Sequence, residues 1–163
     1  RVGNIFKITG DEALLRAQLN ERFFLGGRNT LRGYADRTLL PEDACVVRAG
    51  APASACADPQ NRVESDANKV YTPVPGAFYW LAKGEFRFPV YGSFGGAVFV
   101  DIGNLYFSAQ AFNPGAILVN TGAGIRYETG VGSLALDIGL NPTFRQNRAE
   151  TIVPYVYFYF GNF

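Results

Sequence analysis

The sequence predicts an all-β chain, the wall of an antiparallel transmembrane β-barrel with about six strands and one long extracellular loop. Three observations predict it. From residue 77 onward apolar side chains recur at every second position, the period of a strand. The intervening positions hold glycines and charges of both signs. The connections alternate between short and long, as they do on the two sides of an outer-membrane barrel.

The elements follow in chain order. Residues 2–8 are a candidate first strand. Strand 80–88 sets Trp80, Ala82, Gly84, Phe86 and Phe88 on one face and Leu81, Lys83, Glu85 and Arg87 on the other. In 98–103, Val98, Val100 and Ile102 alternate with Phe99, Asp101 and Gly103. In 119–128, Val119, Thr121, Ala123, Ile125 and Tyr127 alternate with Asn120, Gly122, Gly124, Arg126 and Glu128. Leu134, Leu136, Ile138 and Leu140 alternate with Ala135, Asp137 and Gly139. The run 154–163 opposes Val156, Phe158 and Phe160 to Tyr155, Tyr157 and Tyr159. The connections are then 9–77, 89–93, 108–116, 129–132 and 141–151, in the order long, short, longer, short, longer.

Two architectures share this alternation. A soluble sandwich turns its polar face to water, whereas a membrane barrel turns its apolar face to lipid and its polar face to the lumen. Glycines and opposed charges (Lys83, Glu85, Arg87, Asp101, Arg126, Glu128, Asp137) suit a lumen, and the alternating connection lengths favour the barrel further. No stretch reaches the roughly 18 apolar residues of a membrane helix, and the first residues lack a signal-peptide core.

Composition narrows the chemistry. Apolar residues make up 48% and charged residues 18%, below the roughly 25% charged of ordinary globular chains. With no histidine, the commonest general base and metal ligand is missing. Two cysteines cannot form a four-sulfur zinc site, so neither a metal nor a cofactor is expected. A net charge of +1 offers no basic stripe for nucleic acid. The remaining carboxylates share their face with Lys83, Arg87 and Arg126, so no enzyme is expected. The absence of methionine implies processed ends or a piece of a longer chain.

Residues 9–77 exceed an ordinary loop, which seldom passes about 15 residues. Cys45 and Cys56 within it are either a disulfide, contributing roughly 3 kcal/mol on the chain-entropy model, or two buried thiols. Upstream of them the run Phe23-Phe24-Leu25-Gly26-Gly27-Arg28-Asn29-Thr30-Leu31-Arg32-Gly33-Tyr34 reads as a strand end entering a tight backbone turn. If the loop folds into the lumen, Arg32 must meet carboxylates, because an unpaired buried charge is too costly. Glu85 and Asp101, on adjacent strands of the inward face, are its candidate docking partners. The alternative leaves Arg32 as one more exposed loop arginine.

The segment 23–34 closely resembles the Arg-Gly-aromatic loop motif of the BamA/TamA superfamily of outer-membrane barrels, with Gly26, Gly27, Leu31, Arg32, Gly33 and Tyr34 as its motif residues. Further matches follow in the family's order. Phe99-Val100-Asp101-Ile102-Gly103-Asn104 looks like the strand that receives the loop arginine. Gly122-Ala123-Gly124-Ile125-Arg126-Tyr127 with Gly130-Val131-Gly132 looks like the penultimate hairpin, and Leu134-Ala135-Leu136-Asp137-Ile138-Gly139 like the next strand. Tyr155, Tyr157, Tyr159, Phe160, Gly161 and the closing Phe163 resemble the family's C-terminal strand and sorting signal. Two positions depart from the pattern: Thr129-Gly130 stands where the family has Thr-Pro, and only Asn162 separates Gly161 from Phe163.

The resemblance implies a function. Residues 1–163 would be the C-terminal part of a sixteen-stranded barrel preceded by soluble POTRA domains, with 9–77 its lumen-inserted or extracellular loop. Such barrels sit in the outer-membrane bilayer and insert unfolded outer-membrane proteins, or export protein domains, with accessory assembly proteins. A lateral seam would accept substrate strands by β-augmentation. Residues 152–163 would line it, with Pro154 either weakening the edge or simply beginning the strand. The rival readings are a two-partner-secretion polypeptide transporter of the same superfamily, a passive outer-membrane channel and a soluble binding module.

Overall fold

The computed structural model describes residues 1–4, 22–42, 44, 75–142 and 154–161. Six strands form a single sheet in sequence order, every neighbouring pair antiparallel. They are β1 (Val2–Asn4), β2 (Phe78–Tyr91), β3 (Phe94–Tyr106), β4 (Leu118–Thr129), β5 (Gly132–Leu140) and β6 (Tyr155–Gly161). A sheet with this meander order, alternating faces and no edge-to-edge closure among the described residues is an arc of barrel wall. No helix among these residues is long and apolar enough to cross a membrane.

Two tight turns join the strands at the lower end. Tyr91 pairs with Phe94 around Gly92-Ser93, and Thr129 pairs with Gly132 around Gly130-Val131. The long connections all leave from the upper end. The one between β3 and β4 contains a single turn of 3₁₀ helix, Ala109–Ala111. Pro89 sits where the β2–β3 register slips between Pro89 and Tyr91, a place where a residue without an N–H is tolerated.

Strand parity agrees with the pattern. On the outer face Phe86, Val98, Val100, Ile125, Leu136, Ile138, Val156, Phe158 and Phe160 are all exposed, Phe158 to 71%. Large apolar side chains left in the open on one whole face are the pattern a membrane barrel turns toward lipid. The strands run longer than expected: β2 covers Phe78–Tyr91 against 80–88, β3 Phe94–Tyr106 against 98–103, β4 Leu118–Thr129 against 119–128 and β5 Gly132–Leu140 against 134–140. At the upper ends of β3 and β4, Leu105 and Leu118 add apolar residues to the inner face and blur the alternation. The first strand is described only at Val2–Asn4, where it pairs with Phe78–Trp80. Pro154 lies immediately before β6 and outside it.

Candidate functional site

The described part of the long connection lies against the inner face. Its two arms are tied to each other by backbone bonds: Leu39 N–H donates to the Leu25 carbonyl at 3.1 Å, and Gly27 N–H to that of Tyr34 at 3.0 Å. Thr30 closes the bend, donating through Oγ1 to the Gly26 carbonyl at 2.8 Å and accepting from the Gly26 N–H at 2.9 Å. At its base Phe23 and Gly76 exchange two backbone bonds of 2.9 Å. The result is a compact hairpin-like finger with residues 28–33 at its tip.

Two patches of the wall receive it. The upper one is apolar: Leu25, Leu31, Tyr34 and Leu39 of the finger form one buried cluster with Leu81, Leu105 and Leu118 of β2, β3 and β4. Phe23, Tyr79 and Tyr155 pack around it. A second tie reaches the rim, where the Glu42 N–H donates to the Leu105 carbonyl at 2.7 Å and Asn104 Nδ2 to Glu42 Oε2 at 3.1 Å.

The lower patch is ionic, and Arg32 enters it. Its Nε and Nη2 donate to the two oxygens of Asp101, each at 2.8 Å, a bidentate pairing that fixes the plane of the guanidinium. Its own backbone N–H adds a third bond to Asp101 at 3.1 Å. Nη1 donates to Glu85 Oε2 at 2.7 Å and to Asp137 Oδ2 at 3.3 Å. Phe99 completes the seat, with the guanidinium carbon 3.5 Å from the centre of its ring. The Arg32 side chain is 4% exposed and that of Asp101 fully buried. Burial works against the charged form; the hydrogen bonds it donates to Asp101 and Glu85 more than offset it and raise the guanidinium above its ordinary range.

Close backbone approach makes this seat possible. Gly33 has φ +124°, which a side chain would strain, and Gly139 faces it from β5. A Cβ on Gly139 would stand 2.9 Å from both the Arg32 carbonyl carbon and the Gly33 nitrogen. Gly26 and Gly27 at the bend also have positive φ.

Residues 5–163 match the model of the Omp85 superfamily domain. The chain belongs to the Omp85 superfamily. Members of this superfamily are outer-membrane proteins that insert or transport other proteins. Among curated proteins no match to the chain is found.

In this Omp85 chain the structure brings Arg32 together with Glu85 and Asp101, and it adds residues that sequence reasoning had not placed with them. Asp137 binds Arg32 and also Arg126, whose Nη1 donates to Asp137 Oδ1. Arg126 Nη2 continues to Glu85 Oε1 at 3.2 Å, so two arginines share two carboxylates. Asp137 shares its face with Asp101 and stands opposite Gly124, whose missing side chain leaves room for the Arg126 guanidinium. That inward parity was the available signal. Lys83 donates to the Arg28 carbonyl at 3.1 Å and lies 3.7 Å from Asp101.

The tyrosines of β6, expected as part of a terminal signal, have inward contacts. Tyr157 and Tyr159 point at the finger and the ionic patch, and Tyr155 at the apolar cluster. Phe160 is on the outer face and Gly161 ends β6 with φ +155°. The expected Cys45–Cys56 pair and Phe163 lie outside the described residues. Among the described residues no cluster of three or more ligating side chains is arranged for a metal ion.

Proposed function

We propose that this chain is the C-terminal arc of a larger barrel that assembles or translocates proteins at the outer membrane. It works without a cofactor, and Arg32 braces its long loop against the inner wall. Residues 9–77 form that loop. The observation that carries the reading is the seating of Arg32: a buried guanidinium shared among Asp101, Glu85 and Asp137 is an expensive way to hold a surface loop. It is a sensible way to fix a loop at one position inside a barrel whose wall must yield elsewhere. Unfolded outer-membrane proteins are the substrates on this reading. Their strands add to the edge of β6 and gain main-chain hydrogen bonds as they leave water. POTRA domains of the same full-length protein and accessory assembly proteins deliver them.

Arg32→Ala in the full-length protein tests it. The expected outcome is a barrel that still reaches the outer membrane and runs as a folded species, with substrate insertion lowered at least tenfold and no complementation of a depletion strain. Undiminished growth and insertion would overturn the reading. A conductance that survives loop deletion, with insertion unaffected, would point instead to a passive channel.

A further inference from the structure

β6 is the edge of the described sheet, with β5 as its strand partner. An edge strand held from one side has few means of keeping its place, yet three tyrosines on the inner face of β6 meet the finger or the patch it docks into. The Tyr157 hydroxyl donates to the Tyr34 carbonyl at 2.7 Å and accepts from the Gly33 N–H at 3.0 Å. It therefore reads two consecutive backbone groups of the Arg32-Gly33-Tyr34 tip. Two positions on, the Tyr159 hydroxyl donates to Asp137 Oδ2 at 2.7 Å, the same oxygen that accepts from Arg32 Nη1. The Arg28 guanidinium lies 4.2 Å from the centre of the Tyr159 ring. Tyr155 packs on the apolar cluster that the finger builds.

We infer that Tyr157 and Tyr159 clamp β6 to the docked finger, so that the freedom of this edge strand is set by whether Arg32 is seated. Both are positioning residues: they act on β6 through the loop. The geometry supports coupling in preference to mere packing, because the partners of Tyr157 are main-chain groups whose position depends on the seating of Arg32. With the finger withdrawn, the Tyr157 hydroxyl loses both of these partners, while the Tyr159 hydroxyl stays on the Asp137 carboxylate that Arg126 shares. β6 is then held by its ladder to β5. The inference deepens the proposed function: insertion needs β6 to be released by loop undocking to take a substrate strand and fixed again by redocking to complete the turnover, so a loop that cannot redock, as in Arg32→Ala, fails to insert.

Hydrogen–deuterium exchange of the full-length barrel in lipid nanodiscs tests it without any substrate. Tyr157→Phe keeps the ring and removes one hydroxyl. It is expected to speed exchange of the β6 amides about five- to tenfold, the effect of losing one or two hydrogen bonds, while β4 stays at the wild-type rate. Arg32→Ala should speed β6 exchange at least as much, and adding Tyr157→Phe to it should change nothing further. Tyr159→Phe carries the same expectation at smaller size and stands in should Tyr157→Phe fail to fold. β6 exchange unaltered by either tyrosine substitution, or tyrosine and arginine effects that simply multiply, would overturn the clamp. Failure of Arg32→Ala to impair insertion would sink the proposed function and leave the exchange result standing, so the two are separable.

Discussion

The same finger is held by two adjoining patches of very different kind. The upper patch is built from leucines and aromatic rings packed against one another. The lower one is built from two arginines and three carboxylates whose nitrogens and oxygens meet at fixed distances. Apolar burial scales with area and tolerates small shifts, so the upper patch supplies most of the holding. A buried ion cluster loses in desolvation much of what it gains in attraction, so the lower patch adds little net energy when intact. What it adds is intolerance of error: a guanidinium moved by an ångström breaks several bonds at once. The division implies that the leucines decide how tightly the finger is held and Arg32 decides where.

Asp101→Ala should have the largest effect. It removes both acceptors of the bidentate pair and the acceptor of the Arg32 backbone N–H, leaving a buried cation short of partners. Breaking one side of such a pair costs about 3–5 kcal/mol. Trypsin is a direct probe, because cleavage after the buried Arg32 requires the tip to leave its seat. The wild-type full-length protein should resist cut at that bond, and Asp101→Ala should expose it. Leu31→Ala opens a gap in the apolar cluster and should weaken docking by about 2–3 kcal/mol, toward the low end for such truncations, since a loop can settle onto the gap. Cleavage after Arg32 should rise less, with the tip still in register. Equal exposure of Arg32 in the two variants would break the distinction between holding and placing.

Much of the wall was legible because a period of two survives wherever one face meets lipid and the other holds charge or glycine. That parity alone put Glu85, Asp101 and Asp137 on one side. It faded at the upper ends of β3 and β4, where Leu105 and Leu118 sit inward and outward positions such as Asn104 and Tyr106 are themselves buried, so polar and apolar no longer sort by face. The site was legible in part. A glycine-flanked arginine folded inward needs carboxylates, and Glu85 and Asp101 could be named as its partners, while Asp137 was known only to share their face. The link from Arg126 to Asp137 was not, since it runs diagonally across Gly124 and depends on a register that only pairing reveals. The tyrosines of β6 were hidden for another reason. The partners of Tyr157 are backbone groups more than a hundred residues away, and backbone groups leave no mark in composition or spacing.

Lys83→Gln should have the smallest effect, and it sharpens the comparison at its boundary. Without Arg32 the patch balances Glu85, Asp101 and Asp137 against Lys83, Arg87 and Arg126, three charges against three. Lys83 is the member nearest to the place Arg32 vacates, 3.7 Å from Asp101 and 30% exposed. While the finger is docked, its long contact to Asp101 is worth no more than about 1 kcal/mol, so Lys83→Gln should leave trypsin resistance at Arg32 nearly as in wild type. Its larger role belongs to the undocked state, where it would take over Asp101 and spare the wall an unpaired carboxylate. Removing it therefore makes undocking harder, and the double variant Arg32→Ala with Lys83→Gln should fold less stably than Arg32→Ala alone. Urea unfolding of the full-length barrel measures the difference, and equal midpoints for the two would show that Lys83 does not cover for the missing arginine.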